Sequence, residues 1–165
     1  MKYLADTGRL DQVSRGVYTL PEVWEDEFVS IQERYKRGVF ALDTALFLHD
    51  LTDRTPHKFH MAFPYGYNTS SPKAAGILCS CKKEPYYSLG IALVDTPAGN
   101  TVRAYNAEKT LCEILKPISH TDIQIITDAF KRYAGRKDKN IPLLSEYAHQ
   151  LRVEKRLRPY LEVLL

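Results

Sequence analysis

The chain has 165 residues, of which 44% are hydrophobic and 26% charged, with a formal net charge of +3. That length suits one domain, or one domain and a fragment of another, with enough apolar residues for a core. A charge this small does not specify a polyanionic partner, and no run approaches the roughly 20 apolar residues that span a bilayer.

The chain opens with a hairpin signal: Leu10 to Val13 as a strand, Ser14-Arg15-Gly16 as a turn, and Val17 to Leu20 as the return strand. An isolated hairpin is marginal in water and needs a partner to pack on. Asp26 to Lys36 follows as an amphipathic helix, with Phe28, Ile31 and Tyr35 on one face and Gly38 as its stop. Val39-Phe40 is a short extended piece, and Asp43 is placed to cap a helix running to about His49. Four strands are expected next, at Lys58 to Phe63, Ile77 to Lys82, Ile91 to Asp95 and Thr101 to Tyr105, with a turn at residues 97–100. Strands spaced by such turns point to an antiparallel or mixed sheet.

The last third reads as helical. Asn106 caps a helix through Leu111 and Ile114 that ends near Pro117. Thr121 to Ala134 has Thr121 and Gln124 at capping-box spacing, a core face of Ile123, Ile126, Phe130 and Tyr133, and Gly135 at its end. Pro142 starts a helix through Leu144, Tyr147 and Leu151; another carries Val153 to Leu157, with Pro159 as a break before Tyr160 to Leu165. The expected fold class is α+β: a hairpin element, a mixed or antiparallel sheet domain (β-rich over 38–105), and a C-terminal helical bundle over 106–165.

Four blocks and the C-terminal end, in order along the chain, carry a resemblance to a known family. They are Gly8-Arg9-Leu10 leading into residues 15–18; Gly38-Val39-Phe40-Ala41 with Thr44-Ala45-Leu46, His49 and residues 51–56; Pro64-Tyr65-Gly66-Tyr67-Asn68; and Thr96-Pro97 with residues 99–103 and Glu108-Lys109-Thr110-Leu111-Cys112. With the ending at 151–165, the chain resembles the AbiEi-type antitoxins of bacterial type IV toxin–antitoxin (abortive phage infection) systems. The resemblance implies a winged helix-turn-helix that represses its own operon and a C-terminal domain that neutralises a nucleotidyltransferase-like toxin, directly or without a stable complex. It assigns residues 1–21 to the end of the winged helix (a short helix and the hairpin) and 22–165 to the antitoxin domain. The winged-helix segments before the wing are missing from this sequence, so operator DNA is expected as a partner of a full-length parent.

Candidate sites follow, each beside its plainer alternative. Lys2, Arg9 and Arg15 accompany the hairpin and suit the phosphate contacts of a wing; otherwise they are ordinary surface charges. Residues 1–58 carry eight Lys/Arg against ten Asp/Glu, whereas residues 131–158 carry nine against three. Lys131, Arg132, Arg136, Lys137, Lys139, Arg152, Lys155, Arg156 and Arg158 are therefore a candidate surface for nucleic acid or an acidic toxin, or else a solvated helix face. Tyr65, Tyr67 and Asn68 form a recognition loop, or a structural turn whose tyrosines pack on the sheet. Arg54 reads as a local hydrogen-bonding anchor.

Chemistry is weakly signalled. His57 and His60, three apart in an extended segment, point to opposite faces, and Cys79 with Cys81 lacks a second ligand pair, so no metal or other cofactor is expected. No G-x-S-x-G, P-loop, H-E-x-x-H or G-x-G-x-x-G occurs, and Glu108, Glu113 and Asp122 read as surface or capping charges, so the chain is not expected to be an enzyme. Cys112 falls among apolar residues and should be packed. Three cysteines without a disulfide framework, and no apolar leader segment at the start, suggest the cytoplasm. The alternatives to an antitoxin are a DNA-binding regulator with no toxin partner and a nuclease-type enzyme of unrecognised kind.

Overall fold

The computed structural model describes the backbone of residues 11–14, 17–19 and 26–164, and the side chains of residues 26–162. The two short strands β1 (Asp11–Ser14) and β2 (Val17–Thr19) pair antiparallel, as the hairpin signal implies. Helix α1 (Glu27–Arg34) starts at Asp26, whose carboxylate accepts the Phe28 N–H. The same carboxylate accepts from Thr96 Oγ1 at 2.6 Å and Asn100 Nδ2 at 2.9 Å, tying the helix start to a distant turn.

After α1 come β3 (Val39–Phe40), α2 (Leu42–Leu48), β4 (His60–Pro64), α3 (Ser70–Ala74), β5 (Leu78–Lys82), β6 (Ile91–Asp95) and β7 (Thr101–Tyr105). β3 to β7 form one open mixed sheet in the order β5-β4-β3-β7-β6. The β3–β4 and β6–β7 pairs are antiparallel, while β4–β5 and β3–β7 are parallel. α3 lies in the β4–β5 connection, consistent with the crossover that a parallel pair needs. The chain ends in α4 (Ala107–Ile114), a short 3-10 turn (Pro117–Ser119), α5 (Ile123–Ala134), α6 (Ile141–Gln150) and α7 (Glu154–Leu164). The fold is α+β.

The central strands are buried on both sides. Phe40, Met61, Phe63 and Ala104 pack with Phe28 of α1 and with Tyr35 just after it. Val39, Ala62 and Tyr105 join Tyr87 in a separate cluster. The largest cluster is helical, joining Leu46 and Leu51 to Leu111, Ile114, Phe130, Leu144 and Leu157, with Cys112 packed in it as expected. Phe130 stacks on Tyr160 with centroids 4.4 Å apart.

Several local expectations are corrected. α2 begins before Asp43, because Ala41 N–H donates to His60 O and anchors the helix start to the sheet; Asp43 sits in the first turn with no cap hydrogen bond. Asp122, not Thr121, caps α5, through the Gln124 N–H at 2.7 Å; Thr121 Oγ1 instead donates to Ser119 Oγ. Ile123 is 63% exposed, and Ala129 takes the core place beside Ile126, Phe130 and Tyr133. Pro159 lies inside α7 without breaking it. An interior proline costs about 3 kcal/mol, and here the Tyr160–Phe130 stack and the packing of Leu161 oppose that cost. Helix α3 went unanticipated.

Candidate functional site

The structure divides the basic run by what each charge touches. Arg132 Nε donates to Asp128 at 2.8 Å and its guanidinium reaches Asp53 at 4.0 Å. Arg136 pairs with Asp138 through Nε and Nη2, and its Nη1 donates to His49 O at 3.0 Å. That pairing raises Arg136 above its ordinary value and holds the Asp138 carboxyl below the usual carboxylate range. Lys139 Nζ donates to Ala134 O at the end of α5, where the helix dipole favours a cation. Arg132, Arg136 and Lys139 are therefore spent in local bonding.

Lys131, Lys137, Arg152, Lys155 and Arg156 are exposed and make no ion pair among the described residues. Arg152, Lys155 and Arg156 stand together at the α6–α7 corner, around a concavity of about 470 Å³ lined also by His149 and Glu154. The corner is sharp: Arg152 has φ 60°, and Val153 N–H donates back to Ala148 O. His149 Nδ1 lies 2.9 Å from Glu154 Oε1, so the one acid of the corner is already engaged.

The loop after β4 splits in the same way. Tyr67 stacks on Phe63 at 4.5 Å, and Asn68 Oδ1 accepts the Ser70 N–H. These two are structural. Tyr65 is 69% exposed, beside Gly66 at φ 88°. Arg54 contributes its backbone N–H to Thr52 Oγ1. His60 lies on β4, whereas His57 precedes the strand; among the described residues no group of three or more His, Cys, Asp or Glu is placed to hold a metal. Lys2, Arg9 and Arg15 fall outside the described residues.

Glu108 and Glu113 are buried, contrary to their reading as surface charges. Glu108 accepts from Tyr133 OH at 2.7 Å, and that hydroxyl accepts the Asn140 N–H at 2.7 Å. Burial, then the bond to Glu108, raises Tyr133 above its ordinary value. Tyr133, Glu108, His49 and Arg136 line a polar cavity of about 250 Å³. His49 Nε2 donates to Tyr105 O at 2.8 Å, and burial holds the ring below its ordinary pKa and hence neutral near pH 7.

Glu113 lies between two lysines. Lys82 Nζ is 2.7 Å from Oε2, and the fully buried Lys109 Nζ is 3.4 Å from Oε1, in ion-pair range without hydrogen-bond alignment. Lys109 Nζ donates instead to Tyr86 O at 2.7 Å and Leu89 O at 2.8 Å, and lies over the Tyr105 ring at 3.8 Å. Burial lowers Lys109 to about 8. Gly90, at φ 80°, leaves the Lys109 stem its space: a Cβ there would come 2.8 Å from Lys109 Cβ. The i,i+4 spacing of Lys109 and Glu113 was the one sequence signal for this cluster.

No protein-family model matches the chain, and no curated protein matches it. Among solved structures it is similar to the crystal structure of the RV2827C protein from Mycobacterium tuberculosis, with a TM-score of 0.52 over 98% of this chain and 67% of that one, at 14% sequence identity. That similarity establishes a shared fold and nothing about activity. No helix among the described residues is long and apolar enough to cross a membrane.

Proposed function

We propose that this chain is the neutralising part of an AbiEi-type antitoxin, acting against a nucleotidyltransferase-like toxin in the cytoplasm, with the β1–β2 hairpin belonging to a winged helix that represses the operon. The observation that carries the reading is the ordered set of sequence blocks resembling that family. Their residues fall at the joints of the fold: Thr96 and Asn100 on Asp26, His49 on Tyr105, and Lys109 under the Tyr86–Leu89 segment. Residues bonded in this way hold a scaffold and leave recognition to the surface. The α6–α7 corner then supplies positive charge free of carboxylate partners, suited to electrostatic contact with an acidic toxin face.

The test is rescue of growth. Cells expressing the nucleotidyltransferase-like toxin encoded beside this gene should recover when the chain is co-expressed. Charge reversal of Arg152, Lys155 and Arg156 to Glu should abolish recovery, and substitution of Arg9 and Arg15 should leave it intact, because the wing serves DNA. Circular dichroism checks that the reversed protein is folded. Full rescue by a folded reversed variant excludes the corner, and absence of rescue by the wild-type chain overturns the antitoxin reading.

A further inference from the structure

A second surface, built from other segments, combines exposed aromatic rings with lysines. Tyr65, in the loop after β4, is 69% exposed and has Lys83 Nζ 4.8 Å from its ring centroid. Tyr86, in the β5–β6 connection, is 38% exposed and has Lys116 Nζ 5.9 Å from its ring. Both pairs are fastened to one buried ion cluster. Tyr65 N–H donates to Lys82 O at 2.9 Å, while Lys82 Nζ holds Glu113. Lys109, on the other side of Glu113, donates to Tyr86 O. Of the acids in these segments, Glu113 is enclosed by Lys82 and Lys109, and the exposed Glu84 accepts from Ser88 N–H and Oγ; Lys83 is exposed and Lys116 half-buried beside the two rings.

We propose that this surface binds single-stranded nucleic acid, with bases stacking on Tyr65 and Tyr86 and the adjoining phosphates meeting Lys83 and Lys116. A tyrosine ring anchored through its own backbone and still exposed on one side offers a π-face at little ordering cost, and every base has a π-face to match. Lysines beside the rings neutralise the backbone that a stacked base brings with it. In a duplex the bases are already stacked on one another, so the rings discriminate in favour of a single strand. This inference is independent of the antitoxin reading, and it differs from the α6–α7 corner, where cations cluster without exposed aromatics.

Fluorescence anisotropy of the full chain with fluorescein-labelled oligo(dT) and oligo(U) of about 12 nucleotides, against a duplex of the same length, tests it. The single strands should bind more tightly than the duplex. Tyr65→Ala and Tyr86→Ala should each weaken single-strand binding by about tenfold with the salt slope unchanged, and Tyr65→Trp should keep the affinity. Lys83→Gln and Lys116→Gln should each lower the slope of log K against log salt by about 0.7. The Trp variant separates loss of stacking from loss of structure, and thermal melts confirm that the Ala variants fold. No binding at low salt, equal binding of duplex and single strand, or unchanged affinity in folded Tyr→Ala variants would each overturn the proposal.

Discussion

Replacing Lys109 with Met removes a cation and keeps most of the packed volume. Nothing else among the described residues is bonded to Tyr86 O or Leu89 O, and Glu113 Oε1 has no hydrogen bond of its own. The variant therefore leaves two carbonyls without a donor and Glu113 Oε1 without its nearby cation, while Lys82 stays on Glu113 Oε2. Breaking one side of a buried pair costs about 3–5 kcal/mol; retention of Lys82 places the expected loss near about 3 kcal/mol. The pH dependence is the sharper test. Burial lowers Lys109 from 10.5 to about 8, so between those values the unfolded chain holds a proton that the native protein has released, and stability rises with pH. For this group alone the rise from pH 7 to pH 9 amounts to about 1 kcal/mol. The buried Cys112 thiol is pushed up to about 12 and works in the opposite direction from about pH 9 upward, and comparison of wild type with Lys109→Met cancels it. Urea melts of both proteins at pH 7 and pH 9 should show a gap that widens by that amount. A loss under about 1 kcal/mol, or an equal gap at both pH values, would refute the assignment of Lys109 as a buried cation bridging the β5–β6 connection to α4.

Phe130→Ala removes a ring that is 3% exposed and stacked on Tyr160, and should cost about 3–5 kcal/mol in urea melts, against under about 1 for the exposed Lys131→Ala. Comparable small losses would mean that α7 does not pack on α5. Asp26→Ala deletes the α1 cap together with the acceptor for Thr96 and Asn100, and should cost about 2 kcal/mol, more than a cap alone; hydrogen exchange should show the 96–100 turn opening along with the start of α1. Protection confined to one of the two would separate them.

Much of the secondary structure was legible along the chain because its signals are local. The strands at residues 91–95 and 101–105 follow from β-branched runs around a Pro-Ala-Gly-Asn turn, and Asn106 caps the next helix through the Lys109 N–H as its position implies. Ile126, Phe130 and Tyr133 recur at helical spacing, and all three are buried. Periodicity does not say where a buried face ends, which is why Ile123, one turn earlier, lies in water. Tertiary contact decided the rest. The order of the sheet, with two parallel neighbours, depends on which strands meet after a crossover, and no local pattern encodes that choice. Glu108, Lys109 and Glu113 have the composition of a solvated helix face; they are buried because Tyr133, Lys82 and the carbonyls of Tyr86 and Leu89, all 20 or more positions away, supply their hydrogen bonds and counter-charges. The basic run is divided for the same reason: Arg136 reaches back to His49 O, while Arg152, Lys155 and Arg156 make no ion pair among the described residues and keep their charge for the surface. A charged residue's role depends on the partners that folding brings to it, and sequence spacing reports only those within a turn or two.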